Sequence, residues 1–131
     1  MAAVHTLGSQ ERIKSTKLID TLFSGGKSQS IAVFPLRVVY MTASGNDESA
    51  RAQILISVSK RHFKRAVKRN RIKRQIREAY RLNKQLLLGK LEQQPETVLY
   101  LAWIWQANEL YPSSVVEERV KTLMQRIVEK L

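Results

Sequence analysis

The chain has 131 residues, the usual size of one domain, and at that length folding buries roughly two thirds of the surface that an unfolded chain exposes. With 44% hydrophobic residues and only 5 Gly and 3 Pro, the composition fits one compact core and excludes wholesale disorder. Lys and Arg number 23 against 11 Asp and Glu, a net charge of +12 that favours a polyanionic partner, and the lack of Cys excludes a disulfide framework, a thiolate nucleophile and a Cys-based zinc site.

Residues 1–7 are mildly apolar but lack the charged start and longer apolar core of a signal peptide, so residues 1–11 are read as a flexible arm on a single domain spanning 1–131. Leu18, Ile19, Leu22 and Phe23 then form apolar i, i+4 pairs. Ser15 or Thr16 is placed to cap this first helix and Gly25-Gly26 to stop it. Residues 31–41 are mostly branched or aromatic, as in a strand, but Pro35 lacks a backbone donor, so either two short strands or one interrupted strand is expected. The Ser-, Gly-, Asn- and Asp-rich stretch 43–48 reads as a hairpin loop. Its second arm, 52–59, carries the run Ile54-Leu55-Ile56 that suits a strand buried on both faces.

A basic segment follows at 60–81. Residues 86–91 then fade into a break at Gln93-Gln94-Pro95, and 98–105 read as the last strand; at eight residues this apolar run is far short of the about 20 that a membrane helix needs. Val116, Val120, Leu123, Ile127 and Leu131 mark an amphipathic C-terminal helix beginning near Ser113 and Ser114. A strand, helix, strand connection implies parallel pairing across the crossover, and the sum is an α+β two-layer sandwich.

Residues 60–81 hold 11 Lys or Arg and one acid, Glu78, so +10 of the net +12 lies in 22 residues. At 100° per residue Ile72, Ile76, Ala79 and Tyr80 share one helix side, and Asn70, Lys73, Arg74, Arg77 and Arg81 the other. Upstream of about Arg69 the register fails, because Phe63 and Val67 would project among the charges; residues 60–65 therefore read as a loop entering the helix. A merely solvated face alternates its signs, whereas one acid among eleven bases leaves repulsion of a few tenths of a kcal/mol per pair. Phosphates offset that repulsion by counterion release, and Arg can grip a phosphate with two hydrogen bonds or stack on a base. Membrane binding is the poorer alternative, since the apolar face is needed by the core and has no Trp to insert.

The string Lys68-Arg69-Asn70-Arg71-Ile72-Lys73-Arg74-Gln75-Ile76-Arg77-Glu78-Ala79-Tyr80, preceded by Ile56-Ser57-Val58-Ser59-Lys60, resembles the signature of the bacterial ribonuclease P protein subunit. The likeness extends from Arg12 to the C-terminus. It implies an αβββαβα sandwich of the ribosomal protein S5 domain 2-like type with an unusual left-handed crossover and a central helix with a basic face. It also implies a cytoplasmic endoribonuclease (EC 3.1.26.5) that removes the 5′ leader of precursor tRNA, in which ribonuclease P RNA and Mg²⁺ bound mainly by that RNA carry out the hydrolysis. The protein itself would then hold no catalytic residue, no metal and no small-molecule substrate.

The same resemblance carries Lys68, Arg69, Asn70, Arg71, Lys73, Arg74, Arg77 and Arg81 over as RNA contacts, with Lys60 and Arg61 in support and Asn70 alternatively structural. It places Arg12, Ile19 and Phe23 at a cleft for the single-stranded leader, where Phe23 would stack on a base and Ile19 offers only apolar contact; the alternative is that both simply fill the core. Trp103 and Trp105 share one strand face and are expected in the core, with base stacking as the alternative.

Two other classes fit less well. A self-sufficient nuclease needs clustered carboxylates or a His base, but Asp20, Asp47, Glu48, Glu78, Glu92 and Glu96 are scattered and His5 and His62 are far apart; Glu78 is better explained as a helical partner of Arg74 or Arg81. A ribosomal protein or helix-turn-helix regulator would require neither the Arg-Asn-Arg core behind a Ser-Val-Ser-Lys strand end nor the cleft helix.

Overall fold

The computed structural model describes residues 11–45 and 51–131; His5, Asp47, Glu48, residues 46–48 of the expected loop and residues 1–10 of the expected arm lie outside them. The first helix, α1 (Thr16–Ser24), starts where the Ser15 hydroxyl accepts the Leu18 N–H at 3.3 Å. It stops at Gly25, whose φ of 80° is one that side-chain-bearing residues seldom adopt. Pro35 divides the next apolar stretch into β1 (Gln29–Val33) and β2 (Leu36–Ser44), an antiparallel pair turning through a cis Phe34-Pro35 bond.

Two expectations fail at β3 (Ala52–Ser57). It makes no hairpin with β2, because β4 (Thr97–Trp105) lies between them in the sheet order β1-β2-β4-β3, antiparallel to β2 and parallel to β3. Nor is it buried on both faces: Ala52 and Ile54 are buried, Leu55 and Ile56 only half so. The reason is competition for the centre. The nine residues of β4 are apolar or aromatic on both faces apart from Thr97, so β4 gains most from the inner position and displaces the shorter strand to the edge. The edge is covered in part by the N-terminal segment, where the Ile13 N–H donates to the Ile54 carbonyl at 2.9 Å beside a parallel bridge from Arg12.

One face of the sheet, with Leu36, Val38, Ile54, Leu101 and Trp103, packs on α2 (Ala66–Asn83), α3 (Gln85–Leu91) and α4 (Ser113–Lys130), forming the expected two-layer sandwich. The short α3, which the fading apolar pattern did not separate from its surroundings, adds a fourth helix to the expected order. Val39, Met41 and Ala102 point the other way and meet Ile13 and Leu22, so α1 lies on the opposite face. Trp103 and Trp105 are fully enclosed on the α2–α4 side, each ring edge-on to a tyrosine, Tyr80 at 6.4 Å and Tyr111 at 5.5 Å between centroids. They are core residues with no face open to a base.

Lys84, at the junction of α2 and α3, is buried, and its Nζ reaches the Glu11 carboxylate at 3.0 and 3.2 Å. The pair anchors the start of the described chain to the helical layer. The buried Tyr80 phenol near it has its pKa raised, first by burial and then by the charge of Glu11. Breaking a buried ion pair is costly, so Glu11→Gln is expected to lower unfolding stability by about 3 kcal/mol in urea titration, and Glu11→Gln with Lys84→Met to recover part of that loss. An unchanged midpoint in the single variant would show that the pair holds nothing.

Candidate nucleic-acid interface

The chain leaves β3 through Ser57 and the buried Val58 and turns on Ser59. The Ser59 hydroxyl accepts the Arg61 N–H at 3.0 Å, and its carbonyl accepts the N–H groups of His62 and Phe63 at 3.1 and 3.3 Å. This turn resolves the failed helical register: as loop rather than helix, the segment swings Phe63 into the core, leaving Lys60, Arg61, Lys64 and Arg65 exposed. Val67, in the first helical turn, stays 78% exposed among the cations, where the projection put it.

Arg69 closes the loop, its Nη1 donating to the carbonyls of Phe63 and Lys64 at 2.8 Å each. A residue expected to bind RNA therefore also braces the entrance to the helix. The first turn of α2 has no side-chain cap and no acid, so its open N–H groups and the positive end of the helix dipole add to the charge of Lys68, Arg69 and Arg71. Such an end disfavours an isolated helix and favours an anion.

Farther along α2 the projection holds. Ile72, Ile76, Ala79 and Tyr80 are buried, Lys68, Asn70, Arg71 and Arg74 exposed, and Lys73, Arg77 and Arg81 intermediate. Asn70 makes no side-chain hydrogen bond among the described residues, so no structural duty for it is visible. Glu78 pairs with Arg81, not Arg74, the Arg81 Nε lying 3.1 Å from Oε2. The hydrogen bond from Arg81 draws the Glu78 carboxyl below the usual carboxylate range. Arg81 is thus partly neutralised, whereas Lys60, Arg61, Lys64, Arg65, Lys68, Arg71, Lys73, Arg74 and Arg77 face no acid within ion-pair distance among the described residues.

The fold also joins two sets of residues that the sequence kept apart. Arg12 and Ile13, the β3 residues Ile54, Leu55 and Ile56, and the α2 cations Lys73 and Arg77 line one groove of about 200 Å³ at the sheet edge. Ile19 and Phe23 do not line it. Ile19 packs in the cluster on the α1 face of the sheet, and Phe23, one turn on, leaves 48% of its surface exposed. Lys64 and Arg65 are not among the expected contacts, which the resemblance carried over for the loop residues Lys60 and Arg61 but not for these two; the charge run itself contains them. No group of three or more His, Cys, Asp or Glu able to hold a metal ion occurs among the described residues.

Comparison with known proteins shows the family. The family model for ribonuclease P matches residues 7–128. A ribonuclease P protein component of Porphyromonas gingivalis is 40% identical over 125 residues, covering 95% of this chain and 88% of that protein. Another, from Chlorobium phaeobacteroides, is 31% identical over 95% of this chain and 89% of its own length. Among solved structures, the ribonuclease P protein of Thermotoga maritima superposes with a TM-score of 0.66 at 22% identity, covering 88% of this chain and 96% of that one. A Staphylococcus aureus ribonuclease P protein mutant gives 0.63 at 20% identity, covering 89% and 87%.

The two arginines of the Arg-Asn-Arg core should separate by assay. Arg69→Ala breaks two charge-assisted bonds to the loop and is expected to cost about 2 kcal/mol of stability, whereas the exposed Arg71→Ala should stay within about 0.5 kcal/mol of the parent. Equal melting temperatures for the two variants would refute the bracing role.

Proposed function

The chain belongs to the ribonuclease P protein family, with a part in the endoribonuclease complex that processes the 5′ end of tRNA, and from that membership we propose that it binds the catalytic RNA and the 5′ leader of precursor tRNA. The observation that carries the reading is the run of cations from Lys60 to Arg77 that is unmatched by acids among the described residues and held on a braced loop and one side of the packed helix it enters. Lys60, Arg61, Lys68, Asn70, Arg71, Lys73, Arg74 and Arg77 are the proposed contacts, with Arg69 serving both loop and RNA and Arg81 contributing what its pairing with Glu78 leaves.

Arg12 shares the groove with Lys73 and Arg77 and is proposed to meet leader phosphate. The exposed Phe23 ring is proposed to stack on a leader base, an interaction worth about 1 to 3 kcal/mol in single-strand sites, with Ile19 giving apolar support beneath it. No helix among the described residues is long and apolar enough to cross a membrane. The cytoplasmic location is proposed from the family membership alone.

In this reading Mg²⁺ is held mainly by the RNA, which breaks the phosphodiester bond. What the chain supplies is electrostatic: it neutralises phosphates of two RNA molecules where they converge and holds the single-stranded leader in place.

With cognate catalytic RNA at low Mg²⁺, cleavage of precursor tRNA at the mature 5′ end is expected to require the RNA and to be stimulated by this protein. Cleavage by the protein alone, or no stimulation at any salt concentration, would sink the proposal. In the same system Arg71→Ala with Arg74→Ala should reduce the slope of log K against log salt by roughly 0.7 to 0.9 for each phosphate that is no longer neutralised. A slope equal to the parent's would move the interface elsewhere.

A further inference from the structure

Arg37 has no part in the basic segment, yet its setting is unusual for a cation. Leu36, Val38 and Tyr40 of β2 point into the α2–α4 core, while Val39 and Met41 join the cluster beneath α1, so by alternation Arg37 stands on the α1 face of the sheet. Its cross-strand neighbours are Ala32 on β1 and Ile104 on β4. Ile104 packs in the cluster that includes Ile19 and is itself paired with Ser57, two residues before the turn that opens the basic loop. Arg37 therefore stands on the α1 face between apolar cross-strand neighbours, at the end of the sheet from which the basic loop departs.

Its Nε is buried and has no hydrogen-bond partner, and the head forms no ion pair among the described residues. More than nine in ten buried polar groups in folded proteins are paired, and an unpaired one calls for a reason. An arginine that merely covers apolar surface keeps its head in water, with Nε open. Here Nε is enclosed and the terminal Nη groups are not, an arrangement that restrains the plane of the head and presents the two-pronged end outward in one orientation.

We propose that Arg37 is a positioning residue for the single-stranded leader, gripping one of its phosphates with the Nη pair where the strand passes from the basic loop onto the α1 face. This rests on the leader-binding reading above and adds a residue that the basic segment does not contain. A phosphate suits the site better than a base, because a guanidinium with no acid beside it is left without a counter-charge, and a phosphodiester supplies both that charge and two acceptor oxygens in the matching geometry.

The test uses the reconstituted holoenzyme and two precursor tRNAs, one with a long single-stranded leader and one trimmed to a single leader nucleotide. Arg37→Met keeps the apolar stem and removes the charged head, so the fold is retained, which a thermal melt verifies. It should weaken binding of the long-leader precursor by about tenfold, the scale of one charge-assisted contact, and leave the short-leader precursor and the affinity for catalytic RNA unchanged. Arg37→Lys should recover only part of the loss, because a point charge replaces the fork. Parent-like binding of both precursors by Arg37→Met, or the same loss on both, overturns the assignment while leaving the broader function standing. A parent holoenzyme that shows neither stimulation nor any preference for the long leader refutes leader binding itself.

Discussion

The structure depends on one electrostatic constraint: α2 must stay helical although its own charges oppose it. Its first turn carries Lys68 and Arg69 at the positive end of the dipole, with no cap and no acid, and Glu78 is the one acid along its length. Each like-charge pair costs a few tenths of a kcal/mol, whereas burying a side chain such as Ile72 or Ile76 returns about 1.5 to 3 kcal/mol. Packing wins by that margin, and it wins only because the sheet and α4 present a continuous apolar surface to one side of the helix.

Much of the remaining architecture keeps that surface in place. The Gln75 amide donates to the Tyr111 carbonyl and the Ser113 hydroxyl at 3.0 Å each, fixing the start of α4 against α2. Tyr80 and Trp103 lock helix to sheet edge-on. Two cations outside the basic segment are given over to backbone: Arg51 donates to the carbonyls of Thr97 and Leu91 at 3.0 and 2.7 Å, and Arg119 to that of Phe34 at 3.1 Å. Positive charge that binds carbonyls holds the fold, and positive charge left without a counter-charge is available to phosphate.

This division separates charge that holds the fold from charge that can meet a polyanion. In the proposed function, exposed Arg and Lys on a packed helix would lower the repulsion between two RNA backbones and fix their relative position. Arg69 shows the two duties meeting in one side chain, since the bonds that brace the loop also set the direction in which the adjoining cations project.

Local physics made most elements legible from the sequence. The Ser15 cap, the Gly25 stop, the break at Pro35 and the two faces of α2 follow from spacing and backbone chemistry within a few residues, and the 22-residue charge run marks the candidate interface. The position of β3 was not legible, because whether a strand pairs with its neighbour in sequence depends on a competitor, β4, that lies far along the chain. For the same reason the sequence could not show that Arg12 would meet Lys73 and Arg77 in one groove, that Lys84 would be buried against Glu11, or that Arg37 would stand unpaired on the α1 face. Pattern along a chain reports which side of an element is apolar; only tertiary packing decides which distant charges end up side by side and which are left without a partner.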